Sequence, residues 1–122
     1  MLFRKRKVRP YNPTPAPRDN NMDLNTYQTR AFQFAEYNDS LYPVLGLCEE
    51  AGEVTKWFAK AARGDKEVDV DAVTKELGDV MWMVSAIAAE LGLKLGDVAE
   101  ANINKLADRK KRGVVRGDGD NR

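Results

Sequence analysis

Four stretches of the chain carry apolar residues at helical spacing, and no strand pattern of useful length appears. The first runs from about Leu24 to Asn38. It has Tyr27, Ala31, Phe34 and Ala35 on one side and Asn25 or Thr26 as candidate caps. A short link then leads to Pro43, which suits the first turn of a helix. The second stretch covers about Pro43 to Arg63 and stops at Gly64, with Leu47, Ala51, Val54, Phe58 and Ala61 as its apolar stripe. After a polar loop, the third covers about Asp71 to Leu91 and stops at Gly92. Its second half is apolar nearly all round, which predicts the most buried element. The fourth covers about Gly96 to Lys111. Its start is poorly written, with Lys94 near the cap position and Gly96 in the first turn, and Asp97 offsets this in part through the helix dipole. Four helices with short links predict an all-α, four-helix antiparallel bundle.

The flanks have a different character. Residues 1–22 read as a basic, proline-rich tail: Arg4, Lys5, Arg6, Lys7 and Arg9 precede Pro10, Pro13, Pro15 and Pro17, which keep the backbone extended. Such a cluster is ordinarily a solvated tail, and nucleic-acid attachment is the minority reading. Residues 23–112 form the helical domain that must carry any chemistry. Residues 113–122 are glycine-rich and read as a C-terminal loop or lid.

Composition narrows the function classes. A chain of 122 residues with 43% hydrophobic positions makes one domain with a modest core, so oligomerisation is expected. The 20 basic and 19 acidic residues nearly cancel, which gives no global pull toward nucleic acid. Cys48 is the single cysteine, so no intrachain disulfide can form, and without a secretory signal the cytoplasm is the expected compartment. The longest apolar run, Val80 to Ala89, is too short to span a bilayer and is interrupted by Ser85. The chain has no histidine. That removes Ser-His and Cys-His catalysis, His-ligated zinc and an imidazole base. Chemistry must come from carboxylates, lysines, hydroxyls or a metal that these hold.

The acids supply a candidate. The second helix contains Glu49-Glu50-Ala51-Gly52-Glu53, and the third contains Glu76-Leu77-Gly78-Asp79. At about 100° per residue, Glu50 and Glu53 lie about 60° apart on one face, as do Glu76 and Asp79. Both pairs border apolar stripes, where solvated charge is not expected. If the two helices are antiparallel neighbours, four or five carboxylates meet. At about 5 Å and an effective dielectric near 20, each close pair repels by roughly 3 kcal/mol. A hard divalent cation is the obvious counter-charge, and magnesium or manganese suits oxygen ligands. Di-iron bundles need Glu-x-x-His pairs, which a chain without histidine lacks. Either motif alone reads as a solvated face, on which Lys56 or Lys60 can pair with Glu53 and Lys75 with Asp79. Both motifs together, with Gly52 and Gly78 beside the acids, point to a site. A helix-interior glycine costs roughly 1 kcal/mol and makes sense where a backbone, metal or ligand comes close.

At these residues the chain resembles the MazG-like nucleotide pyrophosphohydrolases of the all-α NTP pyrophosphatase group, whose pattern is Glu-Glu-x-x-Glu, a gap, then Glu-x-x-Asp. The likeness extends to Leu45-Gly46-Leu47, to Val80-Met81-Trp82 and to the run from Ala101 to Arg109. The ending Arg116-Gly-Asp-Gly-Asp-Asn-Arg122 is similar to phage-type members. The resemblance implies that Glu50, Glu53, Glu76 and Asp79 hold two or three magnesium ions, with manganese as a substitute. It implies that Glu49 completes the shell or orients the attacking water, so that Glu49, Glu50 and Glu53 are the catalytic candidates. Asn102, Lys105 and Arg109 would bind the triphosphate. Family members cut a nucleoside triphosphate into monophosphate and pyrophosphate, and work as homodimers or homotetramers with sites near subunit interfaces. The phage-like ending leans the substrate to dGTP or GTP.

Aromatic residues near the acids have two readings. Trp82 could stack on a base, as could Trp57, or either could pack. Phe32, Phe34 and Tyr37 could line a base pocket. Rival readings of the whole chain are a non-enzymatic, metal-binding helical interaction module and a dUTP-specific pyrophosphatase of the same superfamily.

Overall fold

The computed structural model describes residues 22–122. The tail expected over residues 1–22 therefore lies, but for Met22, outside the described residues. Four helices follow in order: α1 (Leu24–Phe32), α2 (Tyr42–Ala62), α3 (Val70–Glu90) and α4 (Leu95–Lys111). There is no strand among the described residues. No helix among them is long and apolar enough to cross a membrane.

The long helices end as their sequences require. Gly64, Gly92 and Gly113 adopt positive φ of 81°, 70° and 70° just past α2, α3 and α4. Each lets the chain close a paired C-terminal cap, as in Leu93 N–H donating to Ala88 O at 2.8 Å and Gly92 N–H to Ala89 O at 3.0 Å. α1 departs from expectation by ending at Phe32 rather than near Asn38. The Trp82 indole N–H donates to Ala31 O at 3.0 Å, and Phe34 N–H tightens onto the same carbonyl at 3.1 Å. Those bonds take the acceptor that a continuing helix would give to Ala35. Its cap is also displaced: Asp23 Oδ1 accepts from Thr26 N–H at 2.7 Å.

α3 is the hub, packed against each of the other three helices, while α2 touches α3 alone. Gly46 abuts Met83, and further along α2 Glu50 meets Asp79 and Glu76, so α2 runs antiparallel to α3. Gln28 reaches Ser85 O and Ala31 meets Trp82, so α1 also runs antiparallel to α3. The link between them, residues 33–41, doubles back. Tyr37 fastens it to the end of α3 by donating to Glu90 Oε1 at 2.6 Å.

The core is small and made of small parts: Ala31, Val73, Met83, Ala86, Ala88 and Leu95, with Pro43, Gly46 and Ser85. The second half of α3 is the most buried stretch, as its sequence predicts. The close-approach glycine is Gly46, where an added Cβ would lie 2.8 Å from Met83 Cε. At Gly52 and Gly78 an added Cβ would meet nothing within 4 Å, so neither glycine serves packing among the described residues.

Candidate functional site

The side of α2 that faces α3 is Pro43, Gly46, Leu47, Glu50, Glu53, Val54, Trp57 and Ala61, all buried or half-buried. Ala51 and Phe58, assigned to the stripe from sequence, are exposed. The acids do not border the packed stripe; two of them are part of it. Across the interface stand Glu76, half-buried, and Asp79, exposed. One carboxylate oxygen from each of Glu50, Glu76 and Asp79 lies within 4.8 Å of the other two. Oxygens on opposite sides of a single magnesium ion are about 4.2 Å apart, so this trio has nearly the span of one hard-cation shell. None of the three has a lysine or arginine within 4 Å among the described residues.

Glu53 is placed differently. Its carboxylate is ion-paired with Lys56, one turn on. That bond raises the Lys56 pKa above the usual lysine value. Glu49 is exposed. Both remain close enough to act on Glu50, whose carboxyl is pushed above the ordinary glutamate value. Partial loss of solvent is the largest cause, followed by the charges of Asp79, Glu49, Glu76 and Glu53. The cluster is electrostatically unbalanced as it stands, and its donors are all hard oxygens. The residues present therefore fit a divalent cation.

An open cleft of about 690 Å³ extends from this cluster, within the range of small-molecule sites. Glu50 and Asp79 are part of its lining. Trp82, Met83, Tyr42 and Phe34 supply apolar wall, and Glu36, Tyr37, Asn38 and Asp39 supply a polar rim. Tyr37 stacks on Tyr42 at 5.5 Å and meets Trp82 edge-on at 6.2 Å, which holds the wall together. Its hydroxyl pKa is pushed up to about 12, by desolvation first and then by the bond to Glu90. Phe34 is 76% exposed although it lines the cleft. A smaller cleft of about 320 Å³ shares Phe34 and Trp82 and adds Met22, Tyr27 and Arg30. The Tyr27 hydroxyl pKa is raised by burial and then by the charge of Asp79.

The model of the MazG nucleotide pyrophosphohydrolase domain matches residues 39–114, more than half of the chain. The chain belongs to the MazG family. A MazG-like protein of phage type is also what the relatives indicate. The Gene 37 protein of Mycobacterium phage L5 is 40% identical over 115 residues, covering 83% of this chain and all of that protein. No solved structure matches the chain. The all-α architecture is that of a MazG fold, and nucleotide pyrophosphohydrolysis is the activity for which the family is named.

The remaining candidates from the sequence are three residues of α4 and the aromatic residues, of which only some reach the cleft. Trp82 is in the cleft wall and also ties α3 to α1. Trp57 is away from the cleft, with Lys60 and Lys66 over its ring. Phe34 and Tyr37 line the cleft and Phe32 does not. Asn102 is exposed, and Lys105 pairs with Asp120 at 3.3 Å. Arg109 is buried under the C-terminal segment, where it donates to Asp120 O at 2.9 Å. Sequence reasoning missed Tyr27, Tyr42, Asn38 and Asp39. The last two follow the aromatic pattern of residues 32–37, and that density of aromatic and polar residues in a helix link was the available signal.

Proposed function

We propose that the protein is a magnesium-dependent nucleoside triphosphate pyrophosphohydrolase, producing a nucleoside monophosphate and pyrophosphate. The observation that carries this reading is the meeting of Glu50, Glu76 and Asp79 from two helices beside an aromatic-walled cleft. When bound, a magnesium ion neutralises phosphate charge and makes water a stronger acid, and manganese can substitute. Glu50, Glu76 and Asp79 hold the cation, with Glu53 beside them once Lys56 lets go. Glu49, exposed and next to Glu50, orients the attacking water or accepts its proton. Water adds at the α-phosphorus, the bond to the α–β bridging oxygen breaks, and pyrophosphate leaves. Asn102, Lys105 and Arg109 hold the triphosphate, and Trp82 and Phe34 offer faces to the base.

The cleft rim favours a guanine base, as in dGTP or GTP. Glu36 and Asp39 accept hydrogen bonds, matching the N–H groups on one edge of guanine, and the Asn38 amide can donate to its O6. One Asp39 oxygen already accepts from Leu41 N–H at 2.9 Å, which fixes that carboxylate in place.

Self-association belongs to the same reading. Leu77, Met81 and Val84 form an exposed apolar stripe on α3, and Ile103 and Leu106 stand exposed on α4. A second copy of the chain is the occupant that the family resemblance supplies. The cytoplasm, where nucleotide pools are, suits the substrate.

The deciding experiment is pyrophosphate release from the eight common ribo- and deoxynucleoside triphosphates and from dUTP in excess magnesium, for wild type and Asp79→Asn. Release should be highest with a guanine nucleotide and abolished in the variant, with its fold intact by circular dichroism. Near wild-type release from Asp79→Asn would remove the site assignment. A dUTP-only profile would select the dUTP-specific relative, and no release from any nucleotide would favour the non-enzymatic module.

A further inference from the structure

The last ten residues fold back on α4 instead of trailing from it. Arg122 bonds Val114 O at 3.1 Å and Val115 O at 3.2 Å and also reaches Gly119 O, while Arg112 holds Arg122 O at 2.6 Å. Gly117 and Gly119 make the turns at φ of 138° and 80°. These bonds close the segment without the side chain of Asp120. That carboxylate is 84% exposed, and its Oδ1 sits 3.3 Å from Lys105 Nζ and 3.2 Å from Arg109 Nη2. Both lengths exceed those usual for a charge-assisted bond. Lys105 has three donors, and the Nε of buried Arg109 has no partner. A single exposed carboxylate oxygen thus bridges two cations at long distance, while the Gly119 and Asp120 carbonyls hold Arg109 independently of it.

We propose that Lys105 and Arg109 form a polyphosphate site that Asp120 fills in the free protein, so that the C-terminal segment is an internal competitor of the phosphate ligand. The inference rests on the reading of Lys105 and Arg109 as triphosphate ligands. A polyphosphate carries more charge and more acceptor oxygens than one carboxylate, and an exposed ion pair gives way easily. Arg109 stays in place during the exchange because the Gly119 and Asp120 carbonyls also hold it.

Inorganic tripolyphosphate, titrated calorimetrically into the metal-free full chain, tests this without requiring turnover. Asp120→Asn should lower its Kd by about two- to fivefold, the size of an exposed ion pair removed as competitor. Lys105→Ala should weaken binding. Asp118→Asn makes the same charge change two residues away and should leave Kd unaltered. Binding by Asp120→Asn that is unchanged or weaker overturns the proposal, and a lowered melting temperature with weaker binding shows that Asp120 builds the site instead. Equal tightening by Asp118→Asn also overturns it, as a general charge effect. Tighter tripolyphosphate binding without nucleotide turnover would remove the hydrolase reading alone, whereas turnover with no effect of Asp120→Asn would remove this inference alone.

Discussion

Glu50 holds its charge among four other carboxylates on half-desolvated ground, and that has a signed consequence. Its folded pKa lies above the unfolded value, so the native state binds the proton more tightly. The stability that protonation gives is complete below the ordinary glutamate value and is lost as pH rises through the raised folded value. In metal-free protein at neutral pH, Glu50→Gln should therefore melt above wild type. The gap should close as pH falls below the ordinary glutamate value of 4.5. Excess magnesium should reverse the order, because only wild type offers the third carboxylate to the ion. Melting curves over pH, with and without magnesium, measure this; coincident metal-free curves at neutral pH would mean that the cluster is fully solvated. The pairing of acids across two helices was legible from 100° arithmetic alone. Lys56 was readable as one candidate partner of Glu53, but that Glu53 takes this pair rather than joining Glu50, Glu76 and Asp79 was not. A glutamate that can meet a lysine one turn on or a carboxylate across the interface is decided by rotamer and local field, which spacing does not encode. The packed stripe of α2 was also misread, because a search for apolar residues passes over a buried face that contains Glu50 and Glu53.

The start of α4 looked badly made because its cap comes from another helix. Asn25 Oδ1 accepts from Gly96 N–H at 2.8 Å, and Gln28 Oε1 accepts from Leu95 N–H at 3.0 Å. Gln28 also donates to Leu93 O at 2.9 Å, so one amide serves both sides of the turn between α3 and α4. Gly96 then has a reason: a Cβ there would stand 2.8 Å from Asn25 Oδ1. Replacing a capping side chain by alanine costs about 1 kcal/mol, and Asn25→Ala should show that loss as a lower melting temperature. Gln28→Ala should cost more, about 1–3 kcal/mol, because the part-buried Leu95 N–H and Ser85 O both lose their partner. Hydrogen exchange should quicken at the first amides of α4 before it changes in α2. Uniform loss of protection across the chain would mean that these side chains pack without capping. Helix stops at Gly64 and Gly92 were readable because a C-terminal glycine is local chemistry. A cap bridging 71 positions in the chain was not, and neither was the early end of α1 at the carbonyl that Trp82 claims.

At the scale of the molecule, α3 carries a second apolar face beyond the one that packs inside the chain. Its inner face carries the buried Val73, Met83, Ala86 and Ala88, yet Leu77, Met81 and Val84 form a second apolar stripe that nothing among the described residues fully covers. α4 adds a stretch, residues 100–108, in which every residue is exposed, and a helix that unsupported is marginal in water. Burying one leucine or valine side chain contributes about 1.5–3 kcal/mol, and a two-fold contact counts each residue twice. The protein should sediment above the 13.7 kDa of one chain, with a melting temperature that rises with protein concentration. Leu77→Lys combined with Val84→Lys should shift it toward the single-chain mass. Because Leu77 lies between Glu76 and Gly78, and Gly78 is open to a neighbour, loss of assembly should also weaken magnesium-dependent stabilisation. Sedimentation velocity decides the first part. If the double variant keeps the wild-type mass, the α3 stripe is not the contact, and Ile103→Lys with Leu106→Lys on α4 then identifies the other face.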